Sequence, residues 1–381
     1  MDWSKLSRRS FLRSAVMGTA GITLAKFPIR SFALSDSDPG GKPLYRFMLL
    51  GDMHYDRLEH HDMAWVQANY PNDISQINSY VSNSANHTPA LLARVKDLVA
   101  NSDVPVPFVL QLGDLVEGLC GSYSLAAKQF QDAAGLIEQT KLGVPFLMCK
   151  GNHDITGPGA VDAYQKVLLP WLSRQNGMRL TTPNFSVRYR NDLFVFFDAF
   201  KPNLDWLQKE FNKNADARHT FFLVHEPVVP YNARADWIVY YKSTQRALRQ
   251  RLLDMLGRRK AIVLSGHLHK YGFVEYQTPH GPFSQLAVSS VVSNDHPTAK
   301  DERIGVDAYT PDLVNLEPSF EPSTVAERMQ FLAQERPFIS QFEYADIAGF
   351  AVVDVYASGA SCQYYGGVNV TPYRSPSLAA V

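Results

Sequence analysis

The sequence predicts an α/β architecture, and three observations carry that expectation. Five short apolar runs each stop at a group of Asp, His or Asn, helical patterns lie between them, and later segments read as antiparallel hairpins. Short, nearly unbroken apolar runs are what strands buried on both faces look like. Polar groups at strand ends fall where open α/β sheets place ligands. The site is therefore expected along one sheet edge, with parallel strands near it and antiparallel strands outside.

In chain order, residues 1–33 come first and read as a leader. Ser7-Arg8-Arg9-Ser10-Phe11-Leu12-Arg13 precedes a mildly apolar run, residues 15–25, and then Ser31-Phe32-Ala33, whose small residues suit cleavage after Ala33. The segment resembles a twin-arginine signal peptide, which implies the twin-arginine export machinery as a partner and a periplasmic or extracellular product. The run is too short to span a bilayer and Cys120 is the first cysteine, so no stable membrane anchor is expected. Removing residues 1–33 from the 381 leaves 348, enough for one large or two medium domains. The leader holds six Lys/Arg against one Asp in a chain of formal charge +0, so the remainder is five charges negative. That balance argues against a nucleic-acid-binding module, which needs a basic footprint.

The first apolar run, residues 45–50, ends in Gly51-Asp52-Met53-His54, and the second, 107–112, in Gly113-Asp114-Leu115-Val116-Glu117. Residues 144–148 lead to Gly151-Asn152-His153-Asp154, 221–224 to His225, and 261–264 to Ser265-Gly266-His267-Leu268-His269. Helical spacing is expected over 89–100, 125–140, 161–174 and 245–258, and hairpins over 185–200, 272–288 and 350–365. Cys120, Cys149 and Cys362 are an odd number without C-x-x-C spacing, which indicates core residues rather than a disulfide framework or a thiolate zinc site.

Carboxylate, amide and imidazole groups recurring together without thiolate suit Mn, Fe, Zn or Co rather than Ca²⁺ or an iron–sulfur cluster. Gly51, Gly113, Gly151 and Gly266 each stand beside the first ligand of a group, where loop backbones must pack closely. The order D-x-H, G-D-x-x-E, G-N-H-D, a lone H, then G-H-x-H resembles the calcineurin-like metallophosphoesterase superfamily, with a motif core over 45–271. That resemblance implies a two-sheet mixed β-sandwich flanked by helices (α/β/β/α), here as one catalytic domain over 42–370. It implies two transition metal ions, one held by Asp52, His54 and His269, the other by Asn152, His225 and His267, with Asp114 bridging. His153 would then protonate the leaving group or hold a phosphoryl oxygen, and Asp154 would orient His153. The implied reaction is attack on a phosphoester by a water or hydroxide bridging two metals about 3.5–4 Å apart.

Departures narrow the subfamily. Purple acid phosphatases carry D-x-G and G-D-x-x-Y, where this chain has His54 and Glu117, so no tyrosinate–iron colour is expected. Phosphoprotein phosphatases carry an arginine after the second motif and G-N-H-E, whereas Gly118 follows Glu117 here and Asp154 replaces Glu. The expected substrate is a small phosphorylated molecule, with a phosphodiester preferred. The alternatives are a phosphomonoesterase of the same mechanism or a catalytically idle metal-bound domain that binds a partner. Glu117 is either an orienting carboxylate or a salt-bridged loop residue. Two walls are candidates to face the substrate: 57–88, with Trp65 and Tyr70, and 228–242, with Tyr231, Arg234 and Trp237. Aromatics there could stack a base or cover a lipid and Arg234 could grip a phosphate, or the same residues could pack a neighbouring helix. Residues 294–323 are either a lid or an exposed excursion. His60, His61, His87, His219, His280 and His296 lie outside the motifs and are expected not to be ligands.

Overall fold

A computed structural model describes residues 41–378, so the leader expected over 1–33 lies outside the described residues. The strands are β1 (Tyr45–Leu50), β2 (Val109–Gln111), β3 (Phe146–Met148), β4 (Phe185–Tyr189), β5 (Asp192–Phe197), β6 (Thr220–Val224), β7 (Ile262–Ser265), β8 (Tyr271–Thr278), β9 (Gly281–Ala287), β10 (Glu302–Ile304), β11 (Ile339–Ala345), β12 (Gly349–Val355) and β13 (Ala360–Gly366). They form two sheets, in the orders β13-β12-β1-β2-β3 and β10-β11-β8-β9-β7-β6-β5-β4. Strands β1 to β3 pair in parallel, as do β5, β6, β7 and β9; the remaining pairings are antiparallel. The five runs that end in polar groups thus fall in the parallel parts, three in one sheet and two in the other.

The helices are α1 (Met63–Asn69), α2 (Ile74–Asn86), α3 (Thr88–Ala100), α4 (Tyr123–Thr140), α5 (Ala160–Ala163), α6 (Leu169–Asn176), α7 (Leu204–Lys213), α8 (Arg246–Arg258) and α9 (Val325–Glu335). Alternation along β5 and β6 explains the layering. Phe194, Phe196, Phe221 and Leu223 join the core shared with β1, α3 and α4, whereas Val195, Phe197, Phe222 and Val224 join a second core with α7, α8 and α9. Between the sheets, Phe47 of β1 meets Phe194 and Phe221 edge-on at centroid distances of 5.6 and 5.3 Å. The result is the expected order of helix, sheet, sheet, helix.

Some segments differ from the sequence pattern for identifiable reasons. The helix expected over 161–174 is interrupted by a π-helical turn at Tyr164–Leu168, just before Pro170, whose missing N–H cannot continue the ladder. Residues 57–88 hold α1 and α2. The side chain of Asp62 starts α1 by accepting from the amides of Ala64 and Trp65 at 3.1 and 3.0 Å. Residues 294–323 pack on the second sheet through buried Tyr309, Leu313 and Val314, with the Tyr309 hydroxyl donating to the Pro230 carbonyl at 2.8 Å. Cys120, Cys149 and Cys362 are buried and unbridged.

Candidate metal centre

Loops leaving β1, β2 and β3 in one sheet and β6 and β7 in the other meet at one end of the sandwich. Backbone bonds draw them together. The amides of Met53 and His54 donate to the Asp114 carbonyl, both at 3.0 Å, and the Gly266 amide donates to the His225 carbonyl at 2.9 Å. The Gln111 side chain ties the first two loops, donating to the carbonyls of Gly51 and Gly113 at 3.0 and 2.6 Å. The approach leaves no room for side chains: a Cβ on Gly151 would lie 2.1 Å from Asp114 Oδ1, and one on Gly113, at φ +92°, 2.6 Å from His225 Nδ1.

Turning several side chains inward demands unusual backbone. His54, Asp114, His267 and His269 adopt left-handed φ values of 45°, 53°, 74° and 56°. Asp and His tolerate this region better than most residues, but each such position is sparsely populated and persists only where surrounding structure imposes it.

The seven expected ligands assemble into two groups. Potential ligand atoms of Asp52, His54, Asp114 and His269 lie within 4.8 Å of one another, as do those of Asp114, His225 and His267. Asn152 Oδ1 joins the second group, 3.1 Å from His225 Nε2. Asp114 belongs to both, with Oδ2 3.1 Å from His225 Nε2 and 3.7 Å from His54 Nε2 and with Oδ1 accepting the His153 amide at 2.7 Å. Each group draws on both sheets.

Imidazole orientation is fixed at the other ring nitrogen. His225 Nδ1 lies 2.7 Å from the Leu112 carbonyl, and His54 Nδ1 lies 2.8 Å from Glu117 Oε2, so both present Nε2 to the centre. Glu117 is fully buried and also lies 3.1 Å from His153 Nδ1; of its two sequence readings, the orienting one holds. Its carboxyl is opposed by burial but held at about 2 by His153 and His54. Asp154 and His153 have different described partners. The Asp154 carboxylate accepts the amides of Gly151, Leu115 and Asp114 at 2.8, 2.9 and 3.1 Å, while His153 Nδ1 is taken up by the Glu117 carbonyl at 2.7 Å. Asp154 thus holds the loops through these amides, and Glu117 lies against His153 Nδ1 through both its carbonyl and its carboxylate.

Electrostatics favour cation binding. Desolvation, aided by Asp114, raises Asp52 to about 6. Burial likewise acts to raise Asp114, but His225, His153 and His54 outweigh it and hold this carboxyl well below its ordinary value. Desolvation, then the neighbouring imidazoles, drive His267 and His269 well below theirs, so both rings are neutral, the form a metal requires. Asp52 Oδ2 is buried with no hydrogen-bond partner among the described residues, and His54 Nε2 and His269 Nε2 face each other at 2.9 Å. Carboxylate, amide and imidazole donors so arranged fit two transition metal ions. A further group, Glu59, His60 and Asp132, lies apart and is engaged by Lys128 Nζ, 2.6 Å from Asp132 Oδ2.

The candidate wall at 228–242 divides. Trp237 lies beside the centre, its ring 5.3 Å from that of His267. Arg234 packs between Trp237 and Phe320, at 5.0 and 4.9 Å, and pairs with Glu317 at 2.8 Å. Tyr231 is a correction: it is fully buried in the outer core of the second sheet, its hydroxyl donating to the Lys270 carbonyl at 3.2 Å, and presents no surface to a substrate. Arg328 of α9, also fully buried, fixes the loop carrying Phe320 through bonds to the carbonyls of Ala233, Phe320 and Glu321. Residues near Phe320 are thus a pinned wall rather than a free lid. Sequence reasoning missed Tyr80 and Gln76 of α2, which reach His54 and Glu117 and belong to no motif.

Comparison with known proteins bears on the family and the fold. No curated protein matches the chain. Among solved structures, a dimetal phosphatase from Danio rerio aligns with a TM-score of 0.51 at 12% identity, covering 89% of this chain and 100% of that one. A purple acid phosphatase, PPD1, from yellow lupin (Lupinus luteus) seeds aligns at 0.49 and 12% identity over 89% of this chain and 54% of that one. GAP50, the anchor in the inner membrane complex of Plasmodium, aligns at 0.49 and 13% identity over 89% and 90%. At such identities the likeness concerns the fold. The sequence family described as calcineurin-like phosphoesterase matches residues 45–271, the stretch from β1 through the last two histidines of the centre. With two sheets delivering that ordered set of carboxylates, amide and imidazoles to one point, the chain belongs to the calcineurin-like phosphoesterase family.

Proposed function

We propose that this chain is an exported, metal-dependent phosphoesterase acting on a small phosphorylated substrate, with phosphodiesters preferred over phosphomonoesters. The observation that carries the hydrolytic reading is the position of Asp114 between the two ligand groups with His153 beside it. Two ions held there would acidify a water and neutralise phosphoryl oxygens. Asp52, His54 and His269 hold one, Asn152, His225 and His267 the other, and Asp114 spans them. His153, oriented at Nδ1 by Glu117, delivers a proton to the departing oxygen. Asp154 serves by holding the loops of Asp114 and Gly151 in register.

The preference for a diester rests on charge. A monoester dianion calls for positive charge beyond the two ions, yet Arg234 is already paired with Glu317, and Lys150 with Asp198 at 2.7 Å. Trp237 and the partly exposed side of Arg234 offer a flat surface to the second ester group. Export rests on the twin-arginine-like leader, and the catalytic domain is read as one unit over 42–370.

The test uses leader-free protein loaded in turn with Mn²⁺, Fe²⁺ and Zn²⁺, assayed on an aryl phosphate monoester and the matching bis-aryl diester, with Asp114→Asn as the blank. Metal-dependent turnover that the blank lacks, faster on the diester, is the expected result. Faster monoester turnover overturns the diester preference. No turnover with both positions filled would shift the reading to a metal-bound binding domain.

A further inference from the structure

The two ligand groups are supported from different parts of the fold. His225, in the second, is oriented by the backbone carbonyl of Leu112 at the end of a core strand. The first is gripped from α2, in the 57–88 segment that carries none of the motifs. Gln76 and Tyr80 stand four apart on α2 and so share one face. The Tyr80 ring stacks on His54 with centroids 4.4 Å apart and planes 21° from parallel, and its hydroxyl lies 3.5 Å from His269 Nδ1, the outer limit of a hydrogen bond. Gln76 Nε2 donates to Glu117 Oε1 at 3.0 Å, and Glu117 Oε2 meets His54 Nδ1 at 2.8 Å. One helix face therefore bears on both histidines of a single group. α2 is itself tied down, through buried Ile77 packed with Val66 and Leu119 and through Ser84 Oγ, which accepts the Asp56 amide at 2.8 Å.

We propose that Tyr80 is a positioning residue for one of the two metal positions, that of Asp52, His54 and His269, so that α2 sets this position's affinity independently of the other. The proposal rests on the reading that the centre holds two ions. The physical argument has two parts. A ring stacked on His54 restricts rotation about its side-chain bonds, so less freedom is lost when Nε2 engages an ion. Where the Tyr80 hydroxyl oxygen accepts the Nδ1–H of His269, the ring is held in the tautomer that leaves Nε2 free as the ligand atom, the role acceptors of ligating imidazoles generally play. The contacts described for Tyr80 and Gln76 are with His54, His269 and Glu117.

The test is direct metal binding, measured by chelator competition and metal analysis on the full protein, for the wild type, Tyr80→Phe and Tyr80→Ala. Losing a partner of this kind is expected to weaken binding by about 10- to 100-fold. Tyr80→Phe keeps the stack and should fall near the lower figure, and Tyr80→Ala near the upper. Only one of two ions should weaken, and in a His269→Gln background Tyr80→Phe should add nothing, whereas Tyr80→Ala should still weaken that ion by removing the stack on His54. Equal weakening of both ions, or no change in either, overturns the proposal. Thermal unfolding identifies a variant that has lost its fold, and Tyr80→Phe decides alone if Tyr80→Ala fails to fold. A wild type that binds fewer than two ions overturns the two-metal reading itself, an outcome distinct from the others.

Discussion

At the scale of single residues, the centre shows how chemistry overrides local preference. Four of its seven expected ligands hold left-handed backbone, which an isolated chain would avoid, and they do so because loop amides and carbonyls leave them no alternative. His153 gives the sharpest residue-level expectation. His153→Ala should lower kcat on a substrate with an alkoxide leaving group by about 10²–10⁴-fold, because a poor leaving group needs the proton, while a nitrophenolate leaving group suffers much less. Steady-state kinetics on the two esters, with bound metal counted, would remove His153 from proton transfer if both rates fell alike. The ligand residues were legible in sequence because each closes an apolar run and has few other reasons to be there. Tyr80 and Gln76 were not, since an aromatic and an amide on a polar helix look the same whether they face solvent or a histidine. Tyr231 misled for the converse reason: proximity to His225 in sequence does not say toward which side of the sheet a ring points.

At the scale of elements, the wall formed by residues 232–237 and the turn at 317–321 carries an unresolved electrostatic cost. Asp236 is only 8% exposed, and neither of its carboxylate oxygens has a hydrogen-bond partner among the described residues. Desolvation raises it to about 6, opposed by its own backbone amide and by Arg328 and aided by Glu321 and Glu327. Because this value lies above the ordinary carboxylate range, the folded protein takes up the proton first. The stability it confers is complete below pH 4 and disappears as the pH rises through 6. A shift of this size corresponds to about 2–3 kcal/mol. Asp236→Asn should therefore flatten the slope of unfolding free energy between pH 4 and 7, measured with denaturant, and an unchanged slope would refute the assignment. Sequence periodicity located α3, α4 and α8 and the three late hairpins well. It passed over α7 and α9, although Leu204, Leu207 and Phe211 stand on one face of α7 behind an Asn203 cap that accepts the Trp206 amide at 2.9 Å. Both are short, ten and eleven residues, so each offers few turns over which its apolar spacing can repeat, and packing against the sheet adds to its stability.

At the scale of the whole molecule, the apolar runs indicated that five strand ends carry the chemistry, whereas their division between two sheets followed from the family resemblance and not from any local pattern. Strand pairing is set by contacts between distant segments, and Tyr45–Leu50 pairs with Gly349–Val355 across three hundred residues, which no local pattern encodes. The buried Asp52, His54, Asp114 and His225 also make folding stability depend on what they bind. An ion held only by the folded chain adds about 2.7 kcal/mol at a free concentration one hundred times its Kd. Chelation should accordingly lower Tm, and Tm should climb with the logarithm of free Mn²⁺ or Zn²⁺; a Tm indifferent to chelator would argue against tight binding. Each coordination set, finally, takes ligands from either side of the sandwich, with Asp52 and His269 more than two hundred positions apart. Neither half of the chain can complete a set alone, so a full coordination set exists only in chains whose halves have closed correctly. A misassembled molecule would be metal-poor, a distinction that chelation kinetics on a refolding sample would register before any activity does.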